Sequence, residues 1–176
     1  MKKYILLIAL AVSVLTAKAQ FNVDRLITSG KVALHYEDYV LSIQYFNQVI
    51  ALKPFLYEPW QYRAVAKFYL DDFVGAETDA SEAIALNPYI DILYDLRAIS
   101  RIRQEDYAGA IADYNKAIAI SPDTRNYWFN RAICMLNSKD YDDALAQTDS
   151  IIRKWQRFAN AYQLKAEVWL NKKDTV

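Results

Sequence analysis

Apolar residues recur along most of the chain at the spacing of amphipathic helices. Apolar positions three and four residues apart fall on one face of an α-helix. One such run consists of Ala110, Ile111, Tyr114, Ala117 and Ile118. Pro54, Pro88 and Pro122 interrupt these runs, because proline cannot continue the helical hydrogen-bond ladder. Strand-like alternation is absent from the sequence, and its three glycines argue against hairpins. The pattern predicts an all-α chain of short helices.

The helical pattern repeats with a period of 34 residues. The three prolines are 34 residues apart, and four acid–aromatic pairs keep the same step: Asp38-Tyr39, Asp72-Phe73, Asp106-Tyr107 and Asp140-Tyr141. A column of small residues has this spacing as well: Ser42, Ala76, Ala110 and Ala144. Several columns in one register indicate an array of two-helix units. The aspartate of each polar turn is well placed to cap the second helix.

These columns resemble the tetratricopeptide repeat (TPR) family, whose unit is a helix–turn–helix with aromatic, small and proline residues at set positions. The resemblance implies an all-α solenoid of about four units followed by a C-terminal helix. The units run over residues 23–56, 57–90, 91–124 and 125–158, and residues 159–176 form the first helix of an incomplete fifth unit. Two interpretations of that helix stay open, a terminal cap or the truncated part of a longer array.

Two arginines occur sixteen residues before an aspartate in their own unit. These are Arg63 with Asp79 and Arg97 with Asp113. In a helical hairpin that turns near the fifteenth position, the two side chains lie at similar height. We predict that they form ion pairs that help to fix the hairpin. The alternative is two solvated charges, since exposed pairs contribute little to stability.

The first twenty residues have a different pattern. Two lysines precede an uncharged stretch from Ile5 to Leu15, and small residues follow at Ala17 and Ala19. This layout is typical of a secretory signal peptide. The stretch would rise only about 16 Å as a helix, which is too short for a hydrocarbon core of roughly 30 Å. We expect residues 1–19 to be removed and residues 20–22 to form a short lead. The protein would then be exported, periplasmic or secreted, with no integral membrane span in the mature chain.

Charge and reactive residues indicate little chemistry. The 21 basic residues balance 21 acidic ones, so we expect no nucleic-acid partner. The single histidine and single cysteine, His35 and Cys134, lie in different units, which argues against a Cys–His catalytic pair. Cys134 stands among apolar residues and is predicted to be a buried, inert thiol. We expect no catalytic residue, no metal ligand and no cofactor, and we predict that the protein is not an enzyme.

The resemblance also implies a concave surface lined by the first helices. We expect the partner-binding groove to contain Tyr62, Val65, Tyr69, Ile99, Arg103, Phe129, Asn130, Ile133 and Asn137. Val65, Ile99 and Ile133 are equally well explained as core between neighbouring first helices. Some TPR domains hold a C-terminal carboxylate with lysine, asparagine and arginine. The matching positions here are Ile27, Lys31, Tyr62, Ile92 and Leu96, so that binding mode is not carried over.

Two functions agree with this sequence. The first is a non-catalytic protein–protein interaction scaffold of the cell envelope that binds a peptide or protein segment in the concave groove. The second is a structural or assembly component of an envelope complex that self-associates through its C-terminal end. The sequence names neither the partner nor the oligomeric state.

Overall fold

The computed structural model describes residues 22–174, and this range contains nine helices and no strand. The first helix, α1, covers residues 22–35 of the described part. The others are α2 Tyr39–Leu52, α3 Tyr57–Tyr69, α4 Phe73–Leu86, α5 Asp91–Ile102, α6 Tyr107–Ile120, α7 Arg125–Asn137, α8 Tyr141–Lys154 and α9 Ala159–Asp174. Four helix pairs followed by a C-terminal helix confirm the predicted fold class. The expected signal peptide lies outside the described residues.

Successive helices pack against each other and build a solenoid. From α2 onwards, each helix contacts the next one along the chain. The first helices of successive units are also neighbours, because α3 contacts α5 and α7 contacts α9. Stacked helix pairs of this kind form an extended concave face. These contacts between first helices agree with the expectation that α1, α3, α5, α7 and α9 line that face.

Small residues allow the two helices of a unit to approach closely. Ala98 of α5 packs with Ala110 and Ala117 of α6 in one cluster, and all three are fully buried. In the first unit, Gly30 has the same role. A Cβ at this position would lie 2.8 Å from the ring of Phe46, so a larger residue would force that ring to move.

Each unit turns between its helices through the same backbone geometry. Four residues, 34 apart, have positive φ: Glu37 (61°), Asp71 (60°), Glu105 (63°) and Lys139 (66°). At the third turn, the N–H of Glu105 donates to Ile102 at 3.0 Å and that of Asp106 donates to Arg101 at 2.9 Å. This pair of bonds is the Schellman motif, which usually contains glycine. Here a residue other than glycine adopts the left-handed backbone conformation at this position.

An aspartate precedes the second helix of each unit. The carboxylates of Asp38, Asp72 and Asp106 accept hydrogen bonds from the backbone N–H three residues later, at 3.1, 2.9 and 2.9 Å. These contacts confirm the predicted N-caps. Asp140 differs, because it makes no such bond and instead accepts from the Ser138 hydroxyl at 2.6 Å. The nearby serine competes for this carboxylate.

Buried ion pairs join the two helices of the second and third units. Arg63 Nη2 lies 2.7 Å from Asp79 Oδ1, and Arg97 Nη2 lies 2.6 Å from Asp113 Oδ1. Both aspartates are only 2% exposed. The two predicted pairs are therefore confirmed, and they lie where water does not screen them.

The same column of basic residues also joins successive units. Each basic side chain donates to a residue sixteen positions earlier, on the second helix of the preceding unit. The pairs are Arg63–Asn47, Arg97–Ser81, Arg131–Asn115 and Lys165–Asp149. The column therefore contributes both to the hairpins and to the stacking between them.

Candidate functional site

The predicted groove residues all belong to first helices or their ends. Helix α3 carries Tyr62, Val65 and Tyr69. Helix α5 carries Ile99, and Arg103 is the first residue after the end of α5. Helix α7 carries the other four, Phe129, Asn130, Ile133 and Asn137. The structure divides these residues among two pockets and the surface around them.

The first pocket lies between α3 and α5 and has a volume of about 200 Å³. It brings together three predicted residues, Val65, Tyr69 and Ile99, and its whole lining consists of Gln61, Val65, Phe68, Tyr69, Ile92, Asp95, Leu96 and Ile99. Val65 and Ile99 also pack against the buried Leu96, so they are both core and pocket wall. Tyr69 is 61% exposed and stacks on Tyr39 at 5.0 Å between ring centroids.

Asp95 is a residue of this pocket that the sequence did not single out. Its Oδ1 atom is buried and has no hydrogen-bond partner among the described residues. Burial raises the pKa of Asp95, the neighbouring Tyr114 hydroxyl opposes that rise, and the Asp91 charge adds to it. The available signal was a carboxylate between apolar neighbours at a concave position, one helical turn after Asp91. The Tyr114 hydroxyl beside it is also buried without a hydrogen-bond partner in the described part of the chain, so the two groups can satisfy each other.

Two tyrosines lie close to the carboxylates of Asp91 and Asp95 on α5. The hydroxyl of Tyr127 donates to Asp91 Oδ2 at 3.2 Å and so links α7 to α5. Burial raises the pKa of Tyr127, and Asp91 and Asp95 raise it further. Burial also raises the pKa of Tyr114. Both phenols therefore stay protonated at neutral pH and can act as donors.

The second pocket lies between α7 and α9 and has a volume of about 240 Å³. It brings together Phe129, Ile133 and Asn137, and the whole lining is Phe129, Ile133, Leu136, Asn137, Asn160, Gln163, Leu164 and Glu167. The ring of Phe129 meets Phe158 edge to face at 5.2 Å. Amide groups line one side of this pocket, so it can offer hydrogen bonds as well as apolar contact.

Three predicted groove residues lie outside both pockets. Tyr62 stacks on Phe46 at 5.6 Å between centroids. Arg103 places its guanidinium 4.3 Å from the ring of Phe73 and 3.4 Å from Asp71. Asn130 lies beside the Tyr114 hydroxyl. Their role in binding stays a prediction.

Reactive side chains are sparse in the part of the chain that the structure describes. Residues 22–174 contain no cluster of three or more histidine, cysteine, aspartate or glutamate side chains that could hold a metal ion. Cys134 is fully buried, and burial raises the pKa of its thiol to about 12. The predicted burial of this thiol is thereby confirmed. In the same range, no helix has the length and apolar character needed to span a membrane.

Comparisons with known proteins agree with this architecture. A tetratricopeptide repeat family model matches residues 101–168. A crystal structure of MamA is 14% identical, with a TM-score of 0.80 over 86% of this chain and 83% of that one. YrrB, described as a TPR protein with an unusual peptide-binding site, is 12% identical, with a TM-score of 0.75 over 84% of this chain and 76% of that one.

A third similar structure is the first TPR of Spaghetti (RPAP3) bound to the HSP90 peptide SRMEEVD. It is 22% identical, with a TM-score of 0.63 over 64% of this chain and 90% of that one. No curated protein matches the sequence significantly. The fold is therefore the helical solenoid of TPR proteins.

Proposed function

We propose that this chain is a TPR protein and a non-catalytic scaffold that binds a peptide or protein segment in its concave groove. The observation that carries the proposal is the pocket between α3 and α5, where a largely apolar lining includes the carboxylate of Asp95. Peptide grooves on helical arrays combine apolar anchor pockets with a few polar groups that orient the ligand.

The α3–α5 pocket suggests how a ligand is held. An apolar side chain enters between Val65, Leu96 and Ile99, and the exposed ring of Tyr69 covers it from one side. Asp95 accepts a hydrogen bond from a donor next to that anchor. Because Asp91 lies nearby, the centre of the groove attracts a cationic donor, a lysine or an arginine, more than a neutral one.

A random peptide library displayed on phage tests this proposal against the protein of residues 20–176. We expect enriched peptides to combine an apolar residue with a lysine or arginine. Tyr69→Ala should weaken binding of an enriched peptide by roughly 5- to 150-fold, the usual effect of truncating an anchor. Tyr89→Ala is the matched control, since Tyr89 is 81% exposed in the turn before α5.

Melting temperatures separate binding from folding. If Tyr69→Ala and Asp95→Asn fold normally and bind every enriched peptide like the parent protein, the groove is not the binding site. Tyr62→Ala and Phe129→Ala extend the same test to predicted residues outside the first pocket and in the second one. Loss of binding in a well-folded Phe129→Ala protein would add the α7–α9 pocket to the groove.

The second candidate is a structural or assembly component that self-associates through its C-terminal end. The observation that favours it is the exposure of Tyr162, Trp169 and Leu170 on α9, at 49%, 54% and 65%. Sizing at micromolar concentration separates the two candidates, because a monomer supports the scaffold and a dimer that Trp169→Ala dissociates supports assembly.

The proposed location is the cell envelope or the exterior, by export through the N-terminal segment. The support is the basic start, the apolar stretch and the small residues at Ala17 and Ala19. N-terminal sequencing of the protein from its native cell tests this. A first residue at Gln20 agrees with export, and an intact Met1 in the cytoplasm contradicts it.

A further inference from the structure

The turn between α8 and α9, residues 155–158, differs in sequence from the turns that join the earlier units. It has Gln156 where each of the three earlier turns has proline, and Arg157 follows directly. The residues at the position of Arg157 in the earlier turns are Phe55, Tyr89 and Asp123. This turn therefore carries a cation that the 34-residue repeat does not require.

A pocket with a volume of about 400 Å³ lies between this turn and the start of α7. Its lining consists of Arg125, Lys154, Trp155, Gln156, Arg157 and Phe158. The guanidinium of Arg125 lies 4.2 Å from the centre of the Phe158 ring, and Lys154 Nζ lies 4.7 Å from the centre of the Trp155 ring. The pocket thus combines three cations with two aromatic rings.

The arginines of this pocket lack acceptors. In the part of the chain that the structure describes, the guanidinium groups without a hydrogen bond or an ion pair are those of Arg125, Arg153 and Arg157. They lie at the start of α7, in the last turn of α8 and in the turn after it. By contrast, Arg97 and Arg101 each bind a carboxylate. A guanidinium without an acceptor keeps its capacity to hold a planar anion through two parallel bonds.

One carboxylate at the rim shows which chemistry the site accepts. Lys154 Nζ lies 2.9 Å from Asp123 Oδ1, and this is the ion pair that the described residues give to the three cations of the pocket. The side chain of Asp123 is 91% exposed, so the pair contributes little to stability. An incoming carboxylate can share Lys154 at low cost, and the two guanidinium groups remain for others.

The exposure of this turn does not depend on a helix that would follow α9. In the three earlier units the second helix is present and still leaves the equivalent turn residue open, with exposed fractions of 63%, 81% and 91% for Phe55, Tyr89 and the side chain of Asp123. Arg125 and Lys154 belong to the fourth unit, whose two helices are both described. The pocket is therefore accessible whether or not the array continues.

We propose that this pocket binds an acidic segment of a partner protein in which neighbouring carboxylates stand beside an apolar side chain. The carboxylates bind the guanidinium groups of Arg125 and Arg157, and the apolar side chain lies against Trp155. Single-stranded nucleic acid fits less well, because it needs a basic groove that follows several nucleotides, and these cations surround one pocket.

The site is separate from the concave groove and does not depend on it. Its residues lie at the start of a first helix and in the turn between units, and none of them occupies a position of the carboxylate site of other TPR domains. Tyr69→Ala, which removes the anchor of the α3–α5 pocket, should therefore bind an acidic peptide like the parent protein. Loss of that binding would place the acidic peptide in the concave groove and contradict the proposal.

Fluorescence anisotropy with a fluorescein-labelled peptide of repeated Glu-Asp-Leu tests the proposal on the protein of residues 20–176. A peptide of repeated Gln-Asn-Leu has a similar shape without the charge. We expect saturable binding of the acidic peptide and none of the neutral one. Raising the salt concentration from about 50 mM to about 500 mM should weaken binding at least about tenfold, because ions screen exposed charges.

Arg125→Glu and Arg157→Glu should each weaken binding at least about tenfold, because an attraction becomes a repulsion. Both arginines are exposed, so the melting temperature should stay close to that of the parent. Lys139→Glu is the matched control. It changes the net charge equally, and glutamate occupies the equivalent positions at Glu37 and Glu105. Helix α7 separates it from the pocket by about 20 Å, beyond the screening length of about 8 Å, so it should bind normally.

Four results would overturn the proposal. The first is the absence of saturable binding by the folded parent protein at the lower salt concentration. The second is normal binding by both folded arginine variants. The third is an equal loss of binding in Lys139→Glu, since binding would then depend on overall charge. The fourth is tighter binding of a labelled thymidine oligonucleotide that the same arginine variants lose, since the pocket would then belong to single-stranded nucleic acid.

Discussion

Arg97 places its Nη2 atom 2.6 Å from Asp113 Oδ1, and its Nη1 atom donates to Ser81 of the preceding unit at 3.2 Å. The guanidinium of Arg97, on α5, therefore links the second helix α4 to the second helix α6. Asp113 is 2% exposed and also lies 2.8 Å from Arg101 Nη1. This carboxylate is the acceptor of two charged donors in a largely water-excluded place.

We predict that Asp113→Asn lowers the free energy of unfolding by about 3–5 kcal/mol, because removing one partner leaves buried charge uncompensated. Urea denaturation followed by circular dichroism measures the change. Asp142→Asn is the matched control. Asp142 pairs with Lys172, but its side chain is 86% exposed, so its loss should cost only about 0–1 kcal/mol. Equal effects of the two substitutions would contradict this ranking.

The fourth unit has a neutral side chain where the second and third units have the buried aspartate. Arg131 Nη2 donates to Gln147 Oε1 at 2.5 Å. Its Nε is buried without a hydrogen-bond partner in the described part of the chain, and burial lowers the pKa of Arg131. A carboxylate at position 147 would accept from this guanidinium as Asp113 does from Arg97.

We therefore predict that Gln147→Asp raises the free energy of unfolding by about 1.5–3 kcal/mol, the usual contribution of a hydrogen bond to a charged group. Gln147→Asn controls for the shorter side chain without adding charge, and it should destabilise the protein. Thermal melts of the parent, Gln147→Asp and Gln147→Asn proteins measure these differences in stability. A Gln147→Asp protein that melts below the parent would show that the shorter aspartate does not reach Arg131.

The 34-residue period predicted the fold because it depends on contacts that each unit repeats. Small residues such as Ala98 set the distance between helices, and the aspartate caps set where helices begin. Side-chain directions at the concave surface depend on neighbours that no period specifies. Arg103, for example, packs on Phe73 and Asp71 rather than in a pocket. Asp95 is a second example, because only its surroundings in the structure show that it is buried next to the Tyr114 hydroxyl.

The sequence did not indicate the positive φ angles of the four turn residues either, because none of the four is glycine. Glu105 has φ of 63°, a conformation that costs an ordinary residue roughly 1–2 kcal/mol. We predict that Glu105→Gly raises the free energy of unfolding by about 0.5–1 kcal/mol, after glycine's extra chain entropy in the unfolded state is subtracted. Differential scanning calorimetry measures the shift.

Glu82→Gly is the opposite control for the turn. Glu82 is exposed within α4, where glycine should lower stability by about 1 kcal/mol. Opposite signs for the two substitutions would separate the backbone conformation from the loss of a glutamate side chain. Destabilisation by both would show that Glu105 contributes contacts that outweigh its strained backbone.

The final prediction concerns the stability that the folded protein loses because the carboxylate of Asp95 is buried. Burial raises the pKa of Asp95 in the folded protein, and the Asp91 charge adds to the rise. The folded state then holds a proton at pH values where the unfolded chain has released it. Stability therefore falls as pH rises from the ordinary aspartate pKa, about 4, through the higher pKa of the folded state.

Asp95→Asn removes this titration while keeping the shape of the side chain. We predict a higher melting temperature than the parent at pH 7 and a smaller loss of stability between about pH 4 and pH 7. Melting curves at several pH values measure both effects. Asp91→Asn is the control, because Tyr127 donates to Asp91 at 3.2 Å and the loss of that charged acceptor should destabilise the fold. Parallel pH profiles for the parent and Asp95→Asn would show that this carboxylate is solvated in the folded protein.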